Sequence, residues 1–323
     1  MDERRARVIS QEKGSYRISS GADMKAAAVS GKYRYEAVTV SDYPAVGDYV
    51  LAQWPEDDAP AVIRSLFPRK SCFIRRAAGS AKQEQVVAAN IDTVFICMSL
   101  NQNYDLRRLE RYLSIAYDSG AAPVVVLTKA DLCRDVDSRV SEVRGAAPGV
   151  DILAVSSLSG DLGAVTRYIL PGRTVAFLGS SGVGKSTLIN QLTGTHSLAT
   201  GTVGAADKGR HTTTHRELIT LSNGAFLIDT PGMRELGMWD SGGGIDAAFR
   251  DVEGLARTCR FSNCTHTSEP GCAIQQALAD GTLDAARWRS FRKLKLEDRS
   301  AADNSRYQAA KRERARAGRK RHS

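Results

Sequence analysis

The sequence predicts a multidomain protein: an OB-like β-barrel over residues 1–85, an α/β domain with a parallel sheet over 86–240, and a small α-helical domain with a basic tail over 241–323. Three observations support this. The first stretch is cut into β-branched and aromatic runs, YRYEAVTV, GDYVLAQW and APAVIRSLF, parted by Gly, Pro and Asp; short strands at this spacing suit a small barrel. From residue 90, apolar strands alternate with helices, the pattern of a parallel sheet that binds ligands at the carboxyl ends of its strands. From about 240 the chain turns polar and helical and clusters Cys259, Cys264, His266 and Cys272.

Taken in order, RKSCFIRR (69–76) follows the barrel as a basic stretch with one aromatic. IDTVFICMSL is a buried strand, and DLRRLERYLSIAYDSG has the apolar spacing of an amphipathic helix with a glycine stop. APVVVLTKADL is a strand running into a loop, followed by a charged segment and then VDILAVSS, a strand that also ends in a loop. DLGAVTRYIL reads as a helix, RTVAFLG as a strand entering a glycine-rich loop, and KSTLINQLTG as the next helix. ELITLS and AFLIDTPGM read as neighbouring strands. SGGG opens the helical part, which ends in one or two basic helices and a frayed terminus.

Charge is unevenly placed. Residues 284–323 hold 14 Lys/Arg against 5 Asp/Glu, the whole net charge of +9, while the rest of the chain carries 31 of each sign. A solvated tail and an arm for a polyanion, bound through counterion release, both fit. No apolar run approaches a membrane span, and MDERRARVIS lacks the apolar core of a secretory signal. A cytoplasmic protein is expected. Cys72, Cys97 and Cys133 lie in or beside apolar runs and read as small buried hydrophobes. The clustered cysteines of a cytosolic chain read as metal ligands before disulfides.

GSSGVGKS, running Gly179, Ser180, Ser181, Gly182, Val183, Gly184, Lys185, Ser186 and on into Thr187, fits the phosphate-binding loop G-x-x-x-x-G-K-[ST] and lies between an expected strand and helix. Glycines let backbone N–H groups turn toward phosphates, and the helix N-terminus adds positive potential. Lys185 is expected to reach the β- and γ-phosphates, and the Ser186 hydroxyl to ligate Mg²⁺. DTPG, forty-odd residues on, supplies Asp229 for Mg²⁺, partly through water, and the Gly232 N–H to sense a γ-phosphate. Between them lies GRHTTTHRE (209–217), from which Thr213 is expected to complete the magnesium shell, with Thr212 and Thr214 as alternatives.

TKAD (Thr128, Lys129, Ala130, Asp131) ends an apolar strand. Asp131 is suited to accept from guanine N1 and N2 and Lys129 to pack along the base; Ser156 and Ser157 end another strand, near the position of guanine O6. Such a site rejects adenine because mismatched polar groups stay unpaired. The base elements precede the phosphate elements, the reverse of the usual order. One rotation of the chain restores the usual one, and a circular permutation preserves every contact when termini are close.

These motifs, with GRHTTTHREL, DTPGMREL and CRFSNCTHTSEPGCAI, make the sequence resemble the circularly permuted GTPases of small ribosomal subunit biogenesis, the RsgA (YjeQ) family. The resemblance covers nearly the whole chain. It implies an OB-fold, a permuted P-loop GTPase domain and a zinc domain, GTP/GDP with Mg²⁺, and late binding to the small subunit and its rRNA with faster GTP hydrolysis when bound. Other assembly factors are further implied partners; a monomer without membrane attachment is expected. Three thiolates and one imidazole, Cys259, Cys264, Cys272 and His266, suit one structural Zn²⁺, at a spacing unlike a common finger. His196 and His322 stand alone and are not assigned as ligands.

Met233 stands where many GTPases carry a water-orienting Gln. The resemblance implicates His211 in hydrolysis; contact of this loop histidine with RNA is the alternative, and His215 is a weaker candidate. Two other function classes fit parts of the chain: an RNA-binding module with a vestigial nucleotide site, opposed by intact Lys185, Ser186, Asp131 and Asp229, and a translation-cycle GTPase acting on mature ribosomes.

Overall fold

The computed structural model describes residues 2–12, 14–76, 84–156, 160, 162–194, 217–229 and 243–300. Ser157, His211, Thr212, Thr213, Thr214, His215, Gly232, Met233, His196, His322 and the tail beyond residue 300 lie outside the described residues. Contacts divide the chain into two compact units: one takes the described residues of 1–104, 119–142 and 150–236, the other those of 105–118, 143–149 and 237–323.

The first unit opens with β1 (Asp2–Glu12), β2 (Ser15–Ser20), β3 (Asp23–Val29), α1 (Gly31–Glu36), β4 (Tyr49–Trp54) and β5 (Ala61–Leu66). The strands lie in the order β1-β2-β3-β5-β4, and β4 pairs back onto β1, closing a five-stranded barrel. Every pair is antiparallel except β3 with β5. Alternation drives this closure. In β4, Val50, Ala52 and Trp54 point inward to meet Val8, Tyr16, Ile18 and Ile63. The expected OB-like barrel is thus present, with one correction. YRYEAVTV, expected as a strand, spans most of α1 and leads into a 3-10 turn at Val40–Asp42. Ser30 Oγ accepts the Tyr33 N–H, and Asp42 accepts the N–H groups of Val38 and Thr39. These caps outweigh the strand preference of the β-branched residues.

Basic RKSCFIRR contains β6 (Cys72–Arg76), which pairs with β7 (Glu84–Ala89) as a separate two-stranded sheet. The α/β region follows with β8 (Thr93–Ser99), α2 (Leu106–Ser119), β9 (Ala122–Thr128), α3 (Val136–Ala146), β10 (Asp151–Ala154), α4 (Gly163–Thr166), β11 (Thr174–Leu178), α5 (Lys185–Thr193), β12 (Glu217–Thr220) and β13 (Phe226–Asp229). The charged segment after TKAD is therefore a helix, and DLGAVTRYIL contributes only the short α4. Strands β10-β9-β8-β11-β13 are parallel, and β12 adds antiparallel to β13. Their carboxyl ends share one edge, which brings Ser99, Thr128, Gly179 and Asp229 to the same side. Phe95, Val126, Phe177, Val183, Leu188 and Leu227 belong to the core around the sheet.

Barrel and parallel sheet form one continuous surface of eleven strands, because β1 pairs with β12 at Ser10 and Glu217. Arg7 pins the junction. Its Nη2 donates to Thr174 Oγ1 at 2.6 Å and its Nε to the Gly47 carbonyl at 3.3 Å. The guanidinium lies over the rings of Tyr49 and Phe226, at 4.9 and 4.5 Å from their centroids.

In the second unit, residues 106–118 of α2 and residues 143–149 join α6 (Gly244–Ala248), α7 (Arg250–Arg257), α8 (Ala273–Ala279) and α9 (residues 285–300). Arg287 of α9 is buried and fully engaged. Nε and Nη2 take the two carboxylate oxygens of Asp251 at 2.7 and 2.6 Å, Nη1 takes Glu110 and the Ala146 carbonyl at 3.1 and 3.0 Å, and Nη2 also reaches the Ala248 carbonyl at 3.1 Å. Gly244 packs so closely on α2 that a Cβ there would lie 2.2 Å from the Ser114 carbonyl oxygen.

Candidate nucleotide site and metal centre

Five buried residues of β11, TVAFL, deliver the chain into the glycine-rich loop. Gly179 adopts φ 148°, and a Cβ there would sit 2.4 Å from the Cys97 carbonyl oxygen of β8. Gly184, at φ 100°, forms the N-cap of α5. Only glycine meets both demands without strain. Val183 points into the core. Lys185 is buried at the start of α5, and its Nζ donates to the carbonyls of Gly179 and Ser180 at 2.6 and 2.5 Å. Half-buried Ser186 and Thr187 complete the first turn. Burial pushes the Cys97 thiol up to about 12, so beneath the loop it is a neutral packing group.

The TKAD segment docks directly on this loop. Thr128 is buried at the end of β9, and its Oγ1 donates to the Val183 carbonyl at 2.5 Å. Lys129 takes the left-handed conformation, φ 57°, which sends its Nζ to the Gly182 carbonyl at 2.9 Å. The Ala130 N–H donates to the Val155 carbonyl at 3.2 Å, and Ser156 Oγ donates to Asp131 Oδ1 at 2.5 Å. TKAD, Ser156 and the phosphate loop therefore meet. Asp229 is the last residue of β13, two strands from β8 across β11. Ser157, His211, Thr213 and Gly232 fall outside the described residues.

In the second unit the donor atoms of Cys259, Cys264, His266 and Cys272 all lie within 4.8 Å of one another. His266 Nδ1 is 3.5 Å from the sulfurs of Cys259 and Cys272, which are 4.0 Å apart. A tetrahedral zinc with Zn–S of about 2.3 Å and Zn–N of about 2.0 Å needs edges of that size, so the donor set fits the metal. Glu269 shapes the loop by accepting the N–H groups of Thr265, Thr267 and Ser268 at 2.7, 2.9 and 3.1 Å. Hydrogen bonds from Thr265, foremost its hydroxyl, and then from Thr267 hold that carboxyl well below its ordinary range. Gln275 Nε2 donates to the His266 carbonyl at 2.6 Å, and the imidazole meets Trp288 edge-on, centroids 5.6 Å apart.

A family model described as RsgA GTPase matches residues 66–239. Small ribosomal subunit biogenesis GTPase RsgA 2 of Lactiplantibacillus plantarum is 47% identical over 302 residues, covering 93% of this chain and 85% of that one. Small ribosomal subunit biogenesis GTPase RsgA of Opitutus terrae is 45% identical over 312 residues, covering 92% and 84%. The chain belongs to the RsgA GTPase family. The fold is shared with YjeQ from Thermotoga maritima, at TM-score 0.70 and 24% identity over 92% of this chain and 98% of that one. It is shared as well with YloQ, described as a circularly permuted GTPase, at TM-score 0.68 and 24% identity over 93% and 96%.

As an RsgA-family GTPase the protein is a GTP hydrolase that uses GTP/GDP and Mg²⁺, and its Cys₃His cluster is able to hold a structural zinc. Sequence reasoning passed over the loop after β8, which is tied to TKAD. There Asn101 Oδ1 accepts from Ser99 Oγ at 2.8 Å and from the Asn103 N–H at 3.1 Å, while the Leu100 N–H donates to the Thr128 carbonyl at 2.9 Å. The signal was available: NQN directly after an apolar strand is turn chemistry at the carboxyl edge of a parallel sheet.

Proposed function

We propose that this GTPase acts late in assembly of the small ribosomal subunit, binding the subunit through its rRNA and hydrolysing GTP faster when bound. The names of its relatives support the subunit as partner. The observation that carries the nucleotide chemistry is the pair of contacts from Thr128 to Val183 and from Lys129 to Gly182, which hold base-side and phosphate-side motifs on one wall.

In this reading Asp131 accepts from guanine N1 and N2, with Ser156 and Ser157 beside O6, and Lys129 lies along the base. The N–H groups of residues 179–187 and the Lys185 ammonium take the phosphates. Ser186, Thr213 and Asp229 hold Mg²⁺, which neutralises phosphate charge when bound. His211 orients the attacking water in place of the residue missing at Met233, and Gly232 senses the γ-phosphate. Because permutation makes DTPG the exit of the GTPase core, release of Gly232 pulls on the metal domain. Limited proteolysis near 233–245 should then differ between GDP and a GTP analogue; identical patterns would remove this link. Residues 1–85, the basic stretch 69–76, the zinc domain 241–323 and the +9 arm form the RNA-facing surfaces, with 86–240 as the GTPase domain. The protein works as a cytoplasmic monomer alongside other assembly factors. Among the described residues no helix is long and apolar enough to cross a membrane.

GTP turnover with and without purified small subunits, with ATP as control, tests the proposal. Stimulation specific to GTP and to the small subunit is expected. Turnover indifferent to subunits would favour the RNA-binding module, and normal subunit precursors in a deletion strain would favour a translation-cycle role.

A further inference from the structure

Asn103 has a side chain that none of these roles uses. Its backbone is fixed: the N–H donates to Asn101 Oδ1, and the next residue, Tyr104, donates its N–H to the Asn101 carbonyl at 3.0 Å. The loop start is tied to TKAD through Leu100 and Thr128. Its carboxamide makes no hydrogen bond among the described residues. The Nδ2 nitrogen lies 3.9 Å from the point that a Cβ on Gly182 would occupy, and apart from the chain neighbours of Gly182 no other described atom comes within 4 Å of that point. Gly182 is the residue whose carbonyl receives Lys129 Nζ.

A half-buried amide on a rigid loop, with two N–H donors beside the glycine turn of an anion-binding loop, lacks an acceptor. A phosphate chain cradled by that loop supplies acceptor oxygens on this flank, and a neutral donor there adds a hydrogen bond to an anion without crowding the cations Lys129 and Lys185. We infer that Asn103 is a further nucleotide-binding residue, donating through Nδ2 to a phosphate oxygen of the bound guanine nucleotide beside Gly182. The inference rests on the nucleotide-site reading above.

The test compares GDP dissociation constants of the full-length protein, Asn103→Ala and Asn103→Asp, with Lys185→Ala as a site control. Loss of one hydrogen bond to a charged acceptor predicts about tenfold weaker GDP binding in Asn103→Ala. Asn103→Asp keeps the shape but replaces the donor with a negative charge, so it should bind more weakly still. Both should unfold at the wild-type temperature without nucleotide, since no protein hydrogen bond is lost. Any other order of GDP affinities overturns the assignment. Guanosine, used as a competitor, should bind all three proteins alike; a deficit of the same size would place the contact on the ribose and overturn the phosphate assignment. If the wild-type protein itself binds no GDP, the nucleotide-site reading fails. If wild type binds, Lys185→Ala does not, and the Asn103 variants match wild type, only the Asn103 assignment fails.

Discussion

Gly179 and Thr128 hold the wall of the proposed nucleotide site together in opposite ways. Gly179 is there for what it lacks: an added methyl would stand 2.4 Å from the Cys97 carbonyl, a backbone atom of a central strand that has no room to move. Gly179→Ala should therefore destabilise the protein by about 2–3 kcal/mol in urea unfolding, the scale of a strained backbone combined with overpacking. Thr128 is there for its hydroxyl. Thr128→Val keeps the shape and leaves the buried Val183 carbonyl without its donor, so a loss of about 1–2 kcal/mol is expected. The two residues were not equally legible. The glycines of the phosphate loop follow from local backbone geometry, which a motif encodes directly. The Thr128 hydroxyl meets a partner 55 residues away, and only its place at a strand end hinted at it.

Segments differ in what fixes them. The loop 259–272 has little apolar content; it is shaped by Glu269 and by four donors that converge within 4.8 Å. Its order should depend on the metal. In a protein whose other tryptophans, Trp54 and Trp239, are changed to Phe, chelation should alter the fluorescence of Trp288, which packs on His266, and zinc should restore it where magnesium does not. An unchanged spectrum on full zinc removal would contradict a structural site. The segment YRYEAVTV shows the reverse failing of local reasoning. Its β-branched and aromatic residues suit a strand, yet two small side-chain caps, Ser30 and Asp42, decide for helical turns. β-propensity records fitness for a half-buried pleated surface, and Tyr35 and Val38, at 92% and 90% exposed, have no such surface to fit.

Across the molecule, the least legible residue was Arg287. It opens a segment that reads as a basic arm, yet it is only 5% exposed and binds Glu110, 177 residues earlier in the chain. Nothing local separates it from the solvated arginines around it, because its acceptors come from α2, α6, α7 and the end of α3. Arg287→Ala should cost about 3–5 kcal/mol, as it removes all five hydrogen bonds of a buried guanidinium and leaves buried Glu110 with Arg107 as its remaining ion-pair partner, and replacing Glu110 with Leu in the Arg287→Met background should recover part of it. Urea unfolding of both variants would check this; a loss under about 1 kcal/mol for Arg287→Ala, the range of exposed pairs, would contradict it.

Among the described residues, the chain visits the second unit three times, at 105–118, at 143–149 and at 243–300. A body assembled from separated stretches cannot be passed between genes by a single crossover. Recombination that grafted only the last stretch onto another nucleotide-binding protein would carry Arg287 without Glu110 or the Ala146 carbonyl. Permuted order and C-terminal helices are accordingly expected to descend as one inherited character, and lineages should gain or lose them together.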